Sequence, residues 1–289
     1  MDISPDLIRA KRPCAAGYRW YLRSGRHDAS YLELMQALVE DGRPGDAVWL
    51  LSQFGPTDDV LDVDELYDDT LVFPGTVRVR GNVDVTGTIC VGGRLLAGGG
   101  VRCGGELHVR EALECGGAVQ AAGEIRCAAL KAGMSVRAAS LHCGGSLRVA
   151  ASLELAGDLV VADQAHVGGG LQAGGHVEAA KGLYLGEDSE VARSLRVGHG
   201  VLCKGSLVCR EALVVGWGIK ATGDVIGGRA IQVGESLLAG GEVRAGEGYG
   251  IYAGLSAREA DWEHSGRVTC PRRPAALLSG IWYPLSHEV

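Results

Sequence analysis

The sequence predicts an all-β solenoid: a three-sided β-helix of about ten coils of 18 residues, with a small α-helical N-terminal cap. Three observations predict it. The first is a six-residue beat from Val77 to Leu255, in which a large aliphatic residue is followed two places later by a small or β-branched one. Residues two apart on a strand point to one side, so each beat supplies a short strand with two inward side chains. The second is glycine. The chain holds 46 of them against two phenylalanines, and pairs such as Gly92-Gly93, Gly104-Gly105, Gly116-Gly117, Gly144-Gly145 and Gly174-Gly175 separate the strands. These pairs are expected to turn corners at positive φ. The third is a longer period. Every third small position gives one column (Val91, Val109, Cys127, Cys143, Val161 and on to Ile251) that is β-branched at seven of ten places. The column Val85, Cys103, Ala121, Ala138, Leu155 and on to Ala245 is β-branched at two of ten. Columns of different local shape mean three sides to a coil.

Taken in order, residues 1–74 read as the helical cap, 75–258 as the solenoid and 259–289 as a C-terminal cap. Ser4-Pro5 forms a cap and first-turn pair, and Pro13 closes that segment. A second helix is expected from Ala15 to Arg23, stopped by Gly25. Ser30 and Glu33 form a capping box before the stripe Tyr31, Leu34, Met35 and Leu38. The fourth helix starts at Pro44 and stops at Gly55-Pro56. The acidic run Asp58, Asp59, Asp62, Asp64, Glu65, Asp68 and Asp69 reads as a solvated linker or helix face, or as a surface that meets a basic partner.

Within the solenoid the beat loses one residue before Leu130 and another before Leu141, which shortens corners in a single coil. From Leu141 the six-residue phase is expected to hold to Leu255, with Ala165, Ser189 and Tyr249 as its odd members. At ~4.8 Å per coil the rod is roughly 48 Å long. Its open ends need covering, and Trp262, Pro271, Pro274, Trp282, Tyr283 and Pro284 are suited to close the C-terminal one.

Charge narrows the function. The formal net charge is -7; residues 1–74 carry seven Lys+Arg and fourteen Asp+Glu, and the remainder carries twenty-one of each. A neutral rod is not built to bind nucleic acid along its length. No run of about eighteen apolar residues occurs, and Met1 to Ala10 has no apolar core of a signal peptide. A cytoplasmic protein without a membrane partner is expected. Of nine cysteines, Cys103, Cys115, Cys127, Cys143, Cys203 and Cys209 take the small inward position and read as packing residues rather than disulfides or ligands. Cys127 and Cys143 should stack on adjacent coils.

No phosphate-binding motif is present, and no cofactor or metal is expected. His108, His142 and His166 take outward positions and read as surface residues; His108 and His142 lie two coils apart, too far to share a metal. Two outward features stand out. Arg126, Lys131, Arg137, His142 and Arg148 follow on successive beats as a basic belt. Leu202, Val208, Val214, Ile226 and Leu238, with Trp217 at a corner, read as an apolar contact surface anchored by the tryptophan.

Beats of the form apolar-x-apolar-glycine in a three-sided coil resemble bactofilins, a resemblance that covers residues 77–257 and implies end-to-end polymers. In hexapeptide acyltransferases, whose solenoids are left-handed, the small residue precedes the large one; here it follows, and a right-handed coil is expected. The leader from Cys14 to Thr57, with Gly17-Tyr18-Arg19-Trp20-Tyr21 and the Trp49 to Pro56 run, resembles immunity proteins of bacterial polymorphic toxin systems. The glycine-rich segments Gly216-Trp217-Gly218-Ile219 and Gly250-Ile251-Tyr252-Ala253-Gly254 add to it. That resemblance implies a non-enzymatic rod that binds and neutralises a cognate toxin through the 58–69 run or the 202–238 patch, and a monomer or lateral dimer is expected. A filament-forming protein is the alternative, and a solenoid acyltransferase has the least support.

Overall fold

The computed structural model describes residues 4–26, 28–256 and 265–285. Four helices come first: α1 (Pro5–Ala10), α2 (Ala15–Ser24), α3 (Tyr31–Glu40) and α4 (Pro44–Phe54). Their starts follow the sequence chemistry. The Ser4 hydroxyl accepts the Leu7 N–H, and Ser30 and Glu33 exchange side-chain and backbone bonds as a capping box. That bonding holds the Glu33 carboxyl below its ordinary value. Cys14 fills the N-cap of α2, its Sγ accepting the Gly17 N–H, and Gly25 ends that helix at φ 66°.

The rest is a parallel β-solenoid of about twelve turns with an 18-residue spacing. A typical step sets Leu159 against Val177 and Val161 against Ala179. Each coil runs through three faces in chain order. Face A starts with strand Val60–Val63, face B with Leu66–Asp68 and face C with Leu71–Phe73. Both inward positions of a strand are buried and the middle residue points out, as in Leu147–Val149, where Arg148 alone is exposed. Among the described residues Ser189 is the buried polar residue of the core; its hydroxyl accepts the Leu171 N–H and donates to the Glu187 carbonyl.

The corner glycines differ from expectation in their cause. None of the pairs at 92–93, 104–105, 116–117, 144–145 or 174–175 has positive φ. Apart from Gly144, whose Cβ would find ordinary contacts at 3.8 Å, they are small because the coil beneath is close: a Cβ on Gly104 would lie 1.9 Å from the Thr86 carbonyl oxygen, and one on Gly216 would lie 2.0 Å from that of Gly198. Inward cysteines serve the same corners. The thiols of Cys103, Cys143, Cys203 and Cys209 each donate to the carbonyl three residues on, such as Cys103 to Glu106 at 3.2 Å. All six predicted packing cysteines are buried and free.

Three boundaries move. The solenoid begins at Val60, so the acidic run is its first coil, neither a linker nor a helix. That coil escapes a six-residue beat because Leu61, Leu66 and Leu71 recur every fifth residue, and because Asp68 occupies an inward register position opposite Val85. At the far end the phase slips by two residues: Ile231 pairs with Ile251 and Val233 with Ala253. Tyr249 and Leu255 are therefore exposed, not inward, and Ala253 replaces Ile251 in its column. Finally, the expected C-terminal cap continues the coil. Strands Arg267–Cys270, Leu277–Ser279 and Ile281–Pro284 extend faces A and C, while Trp282 packs on the core and donates to the Cys270 carbonyl at 3.2 Å. Trp262 lies outside the described residues. The two lost residues fall in one coil as expected: Ile125 pairs with Leu141, 16 residues on, one residue being lost at the irregularity between Cys127 and Ala129 and the other before Leu141.

Candidate functional site

Since the inward residues only pack, any binding chemistry must sit on the outward columns, the corners or the helices. The helices take face C. Its outward residues Val72 and Cys90 are buried with Tyr31, Leu34, Met35, Leu50 and Leu51 in one apolar cluster, and Leu32 reaches the solenoid core itself. Burial pushes the Cys90 thiol up to about 11 and raises the Tyr31 phenol, whose hydroxyl donates to the Gly55 carbonyl at 3.0 Å. Two apolar outward residues in successive coils, Val72 and Cys90, were the signal of this docking.

The predicted apolar patch does not hold as one surface. Successive beats occupy successive faces, so Val208 and Ile226 are neighbours on face B and Val214 stands on face C. Leu202 and Leu238 lie on face A with Lys220 between them. What the structure adds is an aromatic extension. Above the basic residues, the face A column reads His166, Tyr184, Leu202, Lys220 and Leu238. The His166 and Tyr184 rings stack at 4.2 Å, and the Lys204 ammonium lies 5.7 Å from the Tyr184 centroid. Trp217, at the corner leading into face A, stacks on His199 of the coil below at 4.0 Å and is 45% exposed.

The basic belt divides in the same way. Arg126 and His142 lie on face C, Arg137 on face B, and Lys131 and Arg148 on face A. Arg126 pairs with Glu124 and Arg137 with Glu154, so those two charges are answered locally. Lys131, Arg148 and Lys220 make no ion pair among the described residues. Face A thus gathers from both predicted features the unpaired cations, the outward leucines and the adjoining tryptophan.

The acidic run forms a collar round the first coil. Asp58, Asp59, Asp62, Asp64, Glu65, Asp68 and Asp69 are all exposed, and Tyr67 among them is 70% exposed. Arg80 pairs with Asp62 at 3.4 Å and with Asp64. It is the one cation paired with the collar among the described residues. Other corner carboxylates are structural: Asp158, Asp188 and Asp224 each accept the N–H of the next coil, at His176, Ser206 and Glu242.

His108 and His142 lie two coils apart on face C with Arg126 between them, as expected. The His108 Nε2 is buried without a hydrogen bond, 3.7 Å from Glu106. Cys127 and Cys143 are register partners, and the bond between their thiols favours the Cys143 thiolate and disfavours that of Cys127. No group of three or more His, Cys, Asp or Glu among the described residues is placed to hold a metal.

Residues 1–54 match the family described as the YdhT N-terminal domain. The match ends at Phe54, the last residue of α4, so the helical unit that docks on face C is the part shared with that family. No curated protein and no solved structure matches the chain.

Proposed function

We propose that this protein is a non-enzymatic binding rod of the immunity type, which holds a basic partner, a cognate toxin domain, against its acidic first coil. The observation that carries the reading is the collar itself. Seven carboxylates and an exposed tyrosine share one coil with a single paired arginine. A toxin domain that binds nucleic acid presents a basic groove, and a collar of this kind attracts and blocks it. The YdhT N-terminal match supports a leader domain next to that coil, and the toxin-system resemblance of the segment Cys14 to Thr57 supports the choice of partner.

Titration with the product of the adjacent gene tests this. A complex at micromolar concentration is expected, weakened by salt and lost when Asp58, Asp59, Asp64 and Asp68 are changed to Asn. No complex at that concentration would sink the reading.

A filament of end-stacked rods is the competing reading, favoured by the exposure of Leu278 and Ile281 on the last strands. Against it stands the other end, where Asp68 puts a charge at an inward register position and Leu32 covers part of the core. Inward charge on a terminal strand opposes edge-to-edge stacking. Continuous filaments in electron micrographs would favour the competitor; discrete particles would remove it.

A further inference from the structure

Face A carries a pattern that its binding of a toxin does not use. The helices cover only the first coils of face C, at Val72 and Cys90, and leave face A open from Asp62 to Tyr283, where the outward column changes character along the rod. We infer that face A binds a second copy of this chain, antiparallel, about a two-fold axis passing beside His166.

His166 is the middle residue of that column, so an axis there gives full overlap of the two faces. Most of the pairs it creates are complementary; Lys131 meets Leu202 and His166 meets its own copy. Leu96 of one copy meets Leu238 of the other, and Glu114 meets Lys220. Arg148 meets the Tyr184 ring, a cation over an aromatic face. At the ends Asp62 meets Tyr283, whose ring already carries the Arg267 guanidinium at 5.0 Å. The same rotation brings the Trp217 corner to the corner holding Arg110 and Glu111.

Other arrangements fail on charge. A parallel two-fold sets every residue against itself, so Lys131 meets Lys131 and Arg148 meets Arg148. Sliding the antiparallel pair by one coil in one direction sets Lys131 against Lys220, and in the other sets Glu114 against Leu202. Of the three antiparallel registers compared, full overlap alone answers Glu114, which already holds Arg94 at 3.1 Å, with a second cation.

Size agrees with this. About twelve coils at ~4.8 Å, in a face ~15 Å wide, bury on the order of 850 Å² per copy, close to the ~800 Å² per partner of a standard stable interface. Face C is occupied by the helices at its first coils, and face B answers its charges with its own ion pairs. The lateral dimer takes Asp62 of the collar and leaves Asp64, Glu65, Asp68 and Asp69 outside the interface, and its test uses no toxin.

Light scattering on the purified full chain tests the proposal without any partner. A dimer is expected at ~10 μM, with a Glu114–Lys220 cross-link between copies after carbodiimide treatment. Lys220→Glu, on an exposed side chain without an ion pair among the described residues, should weaken dimerisation at least tenfold while leaving the circular-dichroism spectrum unchanged. Adding Glu114→Lys should restore it. Leu238→Arg should break it without involving any ion pair. A monomer at 100 μM would overturn the inference, as would a dimer indifferent to Lys220→Glu and Leu238→Arg, or one that the double charge swap fails to rescue.

Discussion

Faces A and B are made by the same beat on the same coils, yet they present different surfaces. Inward, they match: Leu183 on face A and Leu171 on face B are both buried in one continuous core. Outward, face B answers its charges within itself, Arg102 with Asp84 and Arg137 with Glu154. Face A leaves Lys131, Arg148 and Lys220 unpaired beside Tyr184, Leu202 and Leu238. The difference teaches that in this fold stability and recognition are written in alternate residues. The inward set is shared by every face, while the middle residue of each strand is free to specify a contact.

The largest effects should therefore ignore the face. Leu183→Ala and Leu171→Ala should each destabilise by about 2–5 kcal/mol in urea unfolding, since each leaves a cavity in the same core. A loss below ~1 kcal/mol at either site would break the equivalence. Corner crowding comes next. Gly104→Ala should cost about 1–3 kcal/mol because its Cβ would press on the Thr86 carbonyl. Gly45→Ala, in α4 with nothing within 4 Å, should be neutral or stabilising by up to ~1 kcal/mol.

Face C supplies a pH-dependent contrast. The Cys90 thiol is neutral when protonated, and burial under the helices raises it from 9.0 to about 11. Its contribution is fully present below the ordinary thiol range and is lost as pH rises through about 11. Protection of α3 and α4 in hydrogen exchange should fall over that window, and Cys90→Val should abolish the fall. The smallest stability effect belongs to the corner. Trp217→Ala removes one exposed ring stack worth ~0.5–1.5 kcal/mol, and Val208→Ala on face B should change stability by under ~0.5 kcal/mol. Only the former should alter association, read as a shift in dimer dissociation constant.

The inside of the rod was legible because burial at each strand demands one large and one small residue two apart, and corners demand small ones. That pattern repeats in sequence order. The outside was not, because neighbours on a face are 18 residues apart rather than six. Leu202 and Val208 look adjacent in the chain but stand on different faces, whereas Arg148, His166 and Tyr184 look scattered and are stacked. The first coil hid for a different reason. Its five-residue beats and the charge at Asp68 break the rule that burial imposes elsewhere, since a terminal coil has water on one side. The helical elements were readable from their caps; their docking was not, because Val72 and Cys90 reveal a covered face only once face C is known.

The central claim is that face A, unlike face B, is reserved for contact. The most direct test is the solution mass of three chains measured side by side: unmodified, Lys220→Glu on face A, and Arg137→Glu on face B. Twice the chain mass is expected for the first and third and the single chain mass for the second. A single chain mass for all three, or equal loss of the dimer from either face, would contradict it.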